Sequence, residues 1–319
     1  MIVIVNLNPA VDRLLTFSKI QPGMVHRSRS VQLVAGGKGI NVARVLSRLQ
    51  TPAEVCLFLG GDTGRLLQRL LTQEGIVPCV IETTVETRCC SIGYDESTGE
   101  DTVWNEPGES PTADQWLTYR QRFGERIKPG SLVLLSGSAP PQSPESIFQA
   151  LTRQAQTADC RVLVDISPAD LLKVLPANPW LVKPNHHEAG NALGQSVATV
   201  LDAIQAGREL CLRGAQNALI TLGAQGAVLL TNAGEIWHLT VPDLSTFGRL
   251  FHTGAGDATL AGIACGLQQK QLPLLEAVQF GLASGTTFTR YGRTLDPAEV
   301  ERMVNEIGLK KTGLGSVKK

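Results

Sequence analysis

The chain has 319 residues, 43% hydrophobic and 18% charged, with Lys+Arg and Asp+Glu both at 29. That balance predicts a soluble globular protein, one large α/β domain or two smaller ones, with no bulk attraction for nucleic acid. No apolar run approaches a membrane span, residues 1–6 carry no basic leader, and seven cysteines lack metal-type spacing, so a reducing cytoplasm is expected.

In chain order, apolar runs at residues 2–5, 54–59, 132–135, 161–165, 181–182, 218–221 and 227–230 predict strands. Between them, helical spacing recurs in Ile40, Ala43, Val45, Leu46 and Leu49, then in Ile147, Leu151 and Ala155, and last in Leu260, Ile263, Ala264 and Leu267. The alternation predicts a mostly parallel sheet with helices on both faces, a three-layer α/β/α body. Such sheets hold ligands at the carboxyl ends of their strands. Two segments break the pattern. Residues 14–34 are strand-like, with Val31 and Leu33 on one face; residues 88–104 alternate Cys90, Ile92 and Tyr94 before a turn-rich stretch. They read as a small antiparallel β lid, residues 12–34 and 87–105, inserted into a body of residues 1–11, 35–86 and 106–319. The tail from residue 309, with four lysines and two glycines, is expected to fray.

Two glycine-rich turns carry the chemistry. Thr253-Gly254-Ala255-Gly256-Asp257-Ala258 opens a helix, so backbone N–H groups can approach an anion while Asp257 stands in the first turn. A carboxylate base beside an anion cradle is what phosphoryl transfer to a hydroxyl requires. Ala35-Gly36-Gly37-Lys38-Gly39-Ile40-Asn41-Val42-Ala43-Arg44 leads into another helix and suits a hydroxylated, phosphorylated ligand. Neither turn has Walker spacing. Neither is a dinucleotide fingerprint, whose third glycine would fall at Val42 or Thr259.

Taken together, the two turns resemble the ribokinase-like (PfkB) family of sugar kinases. Four further segments agree, in the family's order: Asn8-Pro9-Ala10-Val11-Asp12, Ser136-Gly137-Ser138-Ala139-Pro140-Pro141, Lys183-Pro184-Asn185 with Glu188, and Thr221-Leu222-Gly223-Ala224-Gln225-Gly226. The resemblance implies a ribokinase-like fold and an ATP-dependent, Mg²⁺-requiring kinase. Asp257 would be the general base, with Gly254, Ala255 and Gly256 as the anion hole. Asp12, Gly36, Gly37, Asn41 and Ser138 would meet the sugar. Lys183, Asn185, Thr221, Gly223 and Gly226 would line ATP, and Asn185 and Glu188 would hold Mg²⁺ through water. Thr87-Arg88 and Asn105-Glu106-Pro107-Gly108 further resemble members acting on already phosphorylated ketohexoses, those of fructose 1-phosphate first and of tagatose 6-phosphate next. A phosphorylated substrate needs extra cations, for which Arg27, Lys38 and Arg88 are the candidates.

Two stretches depart from the family pattern. Cys89-Cys90-Ser91 replaces a commonly polar Thr-Asn pair and Val, and Phe247-Gly248-Arg249-Leu250-Phe251-His252 replaces the usual lead-in to the catalytic turn. Fructose 6-phosphate is a weaker substrate candidate because Lys38 interrupts the glycine run. A catalytically silent sugar-phosphate sensor is the rival of another class, disfavoured by the intact Asp257 turn. His186-His187 lacks a third metal ligand at sensible spacing and reads as loop, and the four tryptophans need only packing roles. The resemblance also implies a homodimer through the lid.

Overall fold

The computed structural model describes residues 1–248 and 250–312. Its elements run β1 (Ile2–Asn6), β2 (Ala10–Phe17), β3 (Ser30–Gly36), α1 (Lys38–Arg48), β4 (Ala53–Leu59), α2 (Gly61–Gln73), β5 (Cys79–Glu82), β6 (Arg88–Asp95) and β7 (Glu100–Asn105). Then come α3 (Ala113–Arg126), β8 (Leu132–Gly137), α4 (Ile147–Thr157), β9 (Arg161–Ile166), α5 (Pro168–Val174), β10 (Leu181–Val182), α6 (His186–Leu193) and α7 (Val200–Leu212). The chain closes with β11 (Ala218–Thr221), β12 (Ala227–Leu230), β13 (Ile236–Thr240), α8 (Ala255–Gln268), α9 (Leu274–Tyr291), α10 (Pro297–Val304) and β14 (Gly308–Lys311).

Ten strands form one sheet in the order β14-β13-β12-β11-β10-β9-β8-β1-β4-β5. Its pairings are parallel from β5 to β11 and antiparallel from β11 to β14. Parallel strands buried on both faces need apolar side chains throughout, as in β1, every residue of which is buried. Alternate residues serve opposite cores: Ile2 and Ile4 pack with the α1, α8 and α9 side, and Val3 and Val5 with the α3, α4 and α7 side. That is the three-layer α/β/α body. No helix among the described residues is long and apolar enough to cross a membrane.

Helices α8 and α9 approach unusually closely. A Cβ at Gly262 would fall 2.8 Å from the Gly281 Cα, and one at Gly285 would fall 2.2 Å from Thr259 Oγ1. Hydrogen-bonding side chains open other helices: Thr112 with Gln115 at α3, Asn185 with Glu188 at α6, and Thr199 with Asp202 at α7. Helices α1 and α8 instead start from Gly37 and Gly254, at φ +113° and +100°, with no side-chain cap.

A second sheet, ordered β3-β2-β6-β7, stands apart from the first. It is mixed rather than the antiparallel lid expected: β2 pairs parallel to β6 over residues 10–17 and 88–95. The reason is topological. β2 continues from β1 and β6 from β5, two strands of the same parallel array, so both leave the body in one direction. The tail also differs from expectation, since β14 pairs antiparallel with β13 and adds an edge strand; residues 313–319 lie outside the described residues.

Candidate active site

A cleft of about 480 Å³ opens at the carboxyl ends of the parallel strands. Asn6 at the end of β1, Gly137 at the end of β8 with Ser138 beyond it, Asp165 of β9, Lys183 after β10 and Thr221 of β11 reach it from the body. Asp12, Arg88, Cys90, Ile92, Val103 and Asn105 reach it from the small sheet. The first turns of α1 and α8 close it with Lys38, Asn41, Gly256 and Asp257. Their uncapped amino ends direct partial positive charge at the cleft.

Charges within it are tightly coupled. Lys38 Nζ donates to Asp165 Oδ1 at 3.1 Å and Glu188 Oε1 at 2.8 Å, while Lys183 Nζ donates to Asp165 Oδ2 at 2.7 Å. Burial alone would lower the Lys38 pKa, but Asp165, Glu188 and Asp257 together hold it above the usual lysine range. Asp165 is likewise buried, a cost outweighed by Lys183 and Lys38, so its pKa stays below the ordinary carboxylate value. Asp257 is different. Burial pushes its pKa up to about 6 against the opposing pull of Lys38, and Asn41 Nδ2 donates to its Oδ2 at 2.8 Å. A carboxylate titrating there is ionised at neutral pH yet basic enough to take a proton.

A second groove, about 790 Å³, shares Asn185, Thr221, His252 and Gly256 with the first. Gly223, Gly226, Ala255, Thr259 and the segment 241–245 line it. Two clefts meeting at one helix amino end can hold two ligands with their reacting groups adjacent.

Residues 2–300 match the pfkB family carbohydrate kinases. This chain belongs to the pfkB carbohydrate kinase family. It is 32% identical over 309 residues to a Bacillus subtilis 1-phosphofructokinase, covering 96% of this chain and 98% of that one. It is also 32% identical over 268 residues to an Escherichia coli 1-phosphofructokinase, 84% of each chain. Among solved structures, Escherichia coli phosphofructokinase-2 in complex with substrates and products superposes with a TM-score of 0.86 at 27% identity, over 95% of this chain and 98% of that one. The same neighbour is also known as a tetrameric inhibited form.

Most residues singled out in the sequence of this pfkB-family chain meet at the two clefts, with informative exceptions. Arg27 sits exposed in the connection between β2 and β3 and does not line either cleft of the single chain, because no strand pairing directs it inward. Gly36 does not line the cleft either; a Cβ there would fall 2.2 Å from the Asp12 carboxylate, so its bareness is what lets Asp12 sit where it does. Lys38 lines the cleft but is committed to two carboxylates. Arg88 donates to the carbonyls of Asn8 and Glu106, using part of its five-donor fork. The Ala255 N–H donates to the His252 carbonyl at 3.2 Å. Gly256 is close to Lys183, whose Nζ would be 3.6 Å from a Cβ there.

His186 and His187 are not loop residues. They form the first turn of α6, rings 3.9 Å apart, and line the second groove. No three His, Cys, Asp or Glu side chains converge as a metal cluster among the described residues. All seven cysteines are free; Cys90 faces the cleft, and Arg249 lies outside the described residues. Sequence reasoning missed Asp165, Ser167 and Asn6. Asp165 was visible only as a charge ending an apolar strand, the one usable signal.

Proposed function

We propose that this sugar-phosphate kinase transfers the γ-phosphoryl group of ATP to a ketohexose phosphate, D-fructose 1-phosphate at its 6-hydroxyl, giving fructose 1,6-bisphosphate. The observation that carries the reading is Asp257, buried in the sugar-side cleft next to Gly256, which belongs to both clefts. The names of the two 1-phosphofructokinase relatives support the substrate. Arg88 adds a cation with donors to spare on the sugar side.

In this mechanism Asp257 accepts the hydroxyl proton as the oxygen attacks in line, and Asn41 fixes the carboxylate for that transfer. At the amino end of α8, Gly254 and Gly256 face the charge that develops on the transferring group, while the Ala255 N–H stays with the His252 carbonyl. Asn185, Thr221, Gly223 and Gly226 line the nucleotide, and Asp12, Gly37, Asn41 and Ser138 the sugar; Lys183, expected at ATP, lines the sugar-side cleft instead, held by Asp165. The small sheet acts as a lid that excludes water. Glu188 Oε1 already accepts from Lys38 and its Oε2 accepts the Asn185 N–H at 2.9 Å. With each oxygen keeping a free lone pair, the pair fits a hydrated Mg²⁺ held through water rather than a directly chelated ion. Mg²⁺, when bound, neutralises phosphate charge. Large exposed apolar side chains on the lid, Val31, Leu33, Val103 and Trp104, support a homodimer through it.

The test is ADP release with Mg-ATP and fructose 1-phosphate beside tagatose 6-phosphate, fructose 6-phosphate and free fructose. Preference for the first is expected. Preference for another sugar phosphate would keep the mechanism and move the error to Cys90 and its strand; no turnover with any sugar would sink the reading.

A further inference from the structure

A separate cavity of about 650 Å³ opens where the small sheet meets the body. Leu33 and Val34 of β3, Arg44 and Arg48 of α1, Glu74 after α2 and Arg293 after α9 line it. Three guanidinium groups therefore face one carboxylate. Arg44 takes that carboxylate, through Nε at 2.5 Å and NH2 at 3.0 Å, and donates further to Asn41 Oδ1 and the Ala35 carbonyl. Arg48 and Arg293 make no ion pair among the described residues. Arg48 is exposed, but Arg293 is half-buried, and burial and the Arg44 charge lower its pKa to about 10. Glu74 and Asp12 pull the other way without forming an ion pair with it, so a guanidinium held partly out of water gains from an anion that joins it.

We infer that this cavity binds a small phosphate-bearing anion between Arg48 and Arg293, at the junction of the lid strand β3 and the body. Two guanidinium forks suit phosphate oxygens, and the apolar walls of Leu33, Val34 and Leu70 suit a short carbon skeleton. The site adjoins the sugar cleft through Arg44, which lines this cavity and donates to Asn41 Oδ1 at 2.7 Å, and Asn41 in turn donates to Asp257 Oδ2 inside that cleft. Arg293 is foremost among the cations that oppose the burial-driven rise of the Asp12 pKa, and Asp12 lines the sugar cleft. An anion on Arg293 withdraws that support, so it weakens sugar binding, and by linkage the sugar weakens the anion.

Inorganic phosphate, titrated calorimetrically into the full chain, tests the site without turnover, so a failure of the kinase reading leaves this measurement interpretable. The isotherm should survive Arg88→Ala, which removes the cation on the sugar side, and weaken about tenfold in Arg48→Ala and in Arg293→Gln. An isotherm unchanged by Arg48→Ala, or none in the wild type, overturns the site. The coupling rests on the proposed sugar substrate: phosphate should raise the KM for fructose 1-phosphate in the wild type and not in Arg48→Ala, whose basal kcat stays unchanged. Binding that leaves KM unmoved overturns the coupling.

Discussion

Asp257 carries two opposed requirements in one carboxyl group. Its pKa of about 6 makes it a better base than an exposed aspartate, and also makes its ionised form expensive to bury. Loss of kcat/KM should therefore begin as pH falls through about 6, where the base becomes protonated; a pH–rate profile flat to pH 4.5 would exclude this residue as the base. Asp257→Asn should lower kcat by about 10²–10⁴-fold. The same change should stabilise the fold. Because the folded pKa is raised above the ordinary 3.8, the native state binds more protons than the unfolded chain between the two values. Stability is thus lost as pH rises through that window and stays lost above it. The Asn variant should recover up to about 3 kcal/mol at pH 7–8, with the gain shrinking toward pH 4, as urea melts at several pH values would show. Gly36→Ala acts on a neighbouring carboxylate: a Cβ within 2.4 Å of both Asp12 oxygens must displace them, so KM for the sugar should rise more than kcat falls.

Elements differed in how plainly the sequence announced them. The parallel strands are legible because burial on both faces demands unbroken apolar runs. Strand β13, Ile-Trp-His-Leu-Thr, mixes polar and apolar residues, and β5 follows Pro78 as four residues only, so neither produces such a run. Strand β14 is exposed along its whole length and is held by backbone pairing, with two lysines blunting the edge. No hydrophobic pattern could betray it. The site was legible where glycines and Asp257 concentrate locally, and illegible where distant elements meet: Asn41 finds Asp257 across 216 residues. Asp165 and Lys183 join the ends of β9 and β10 in the same hidden way, each with a side chain only 2% exposed. Lys183→Met leaves that buried carboxylate with Lys38 alone and should cost about 3 kcal/mol in chemical denaturation.

At the scale of the molecule, the three-layer body faces a small sheet whose side chains Val31 and Leu33 are 53% and 40% exposed. Apolar surface of that kind is covered when copies associate. Sedimentation of the purified chain should give a dimer, and Val31→Lys with Leu33→Lys should shift it toward monomer; a wild-type monomer at micromolar concentration would remove the lid interface. The glycine contacts between α8 and α9 have a consequence for how the protein opens. Backbones that touch through Gly262, Gly281 and Gly285 leave no slack for local fraying, so the amides of both helices should be among the last to take up deuterium. The small sheet, with its exposed β7, should label first. The turn bearing Asp257 is then anchored in the slowest-breathing part of the chain, and a partly denatured population that has lost its small sheet would still keep the acid and its helix in register.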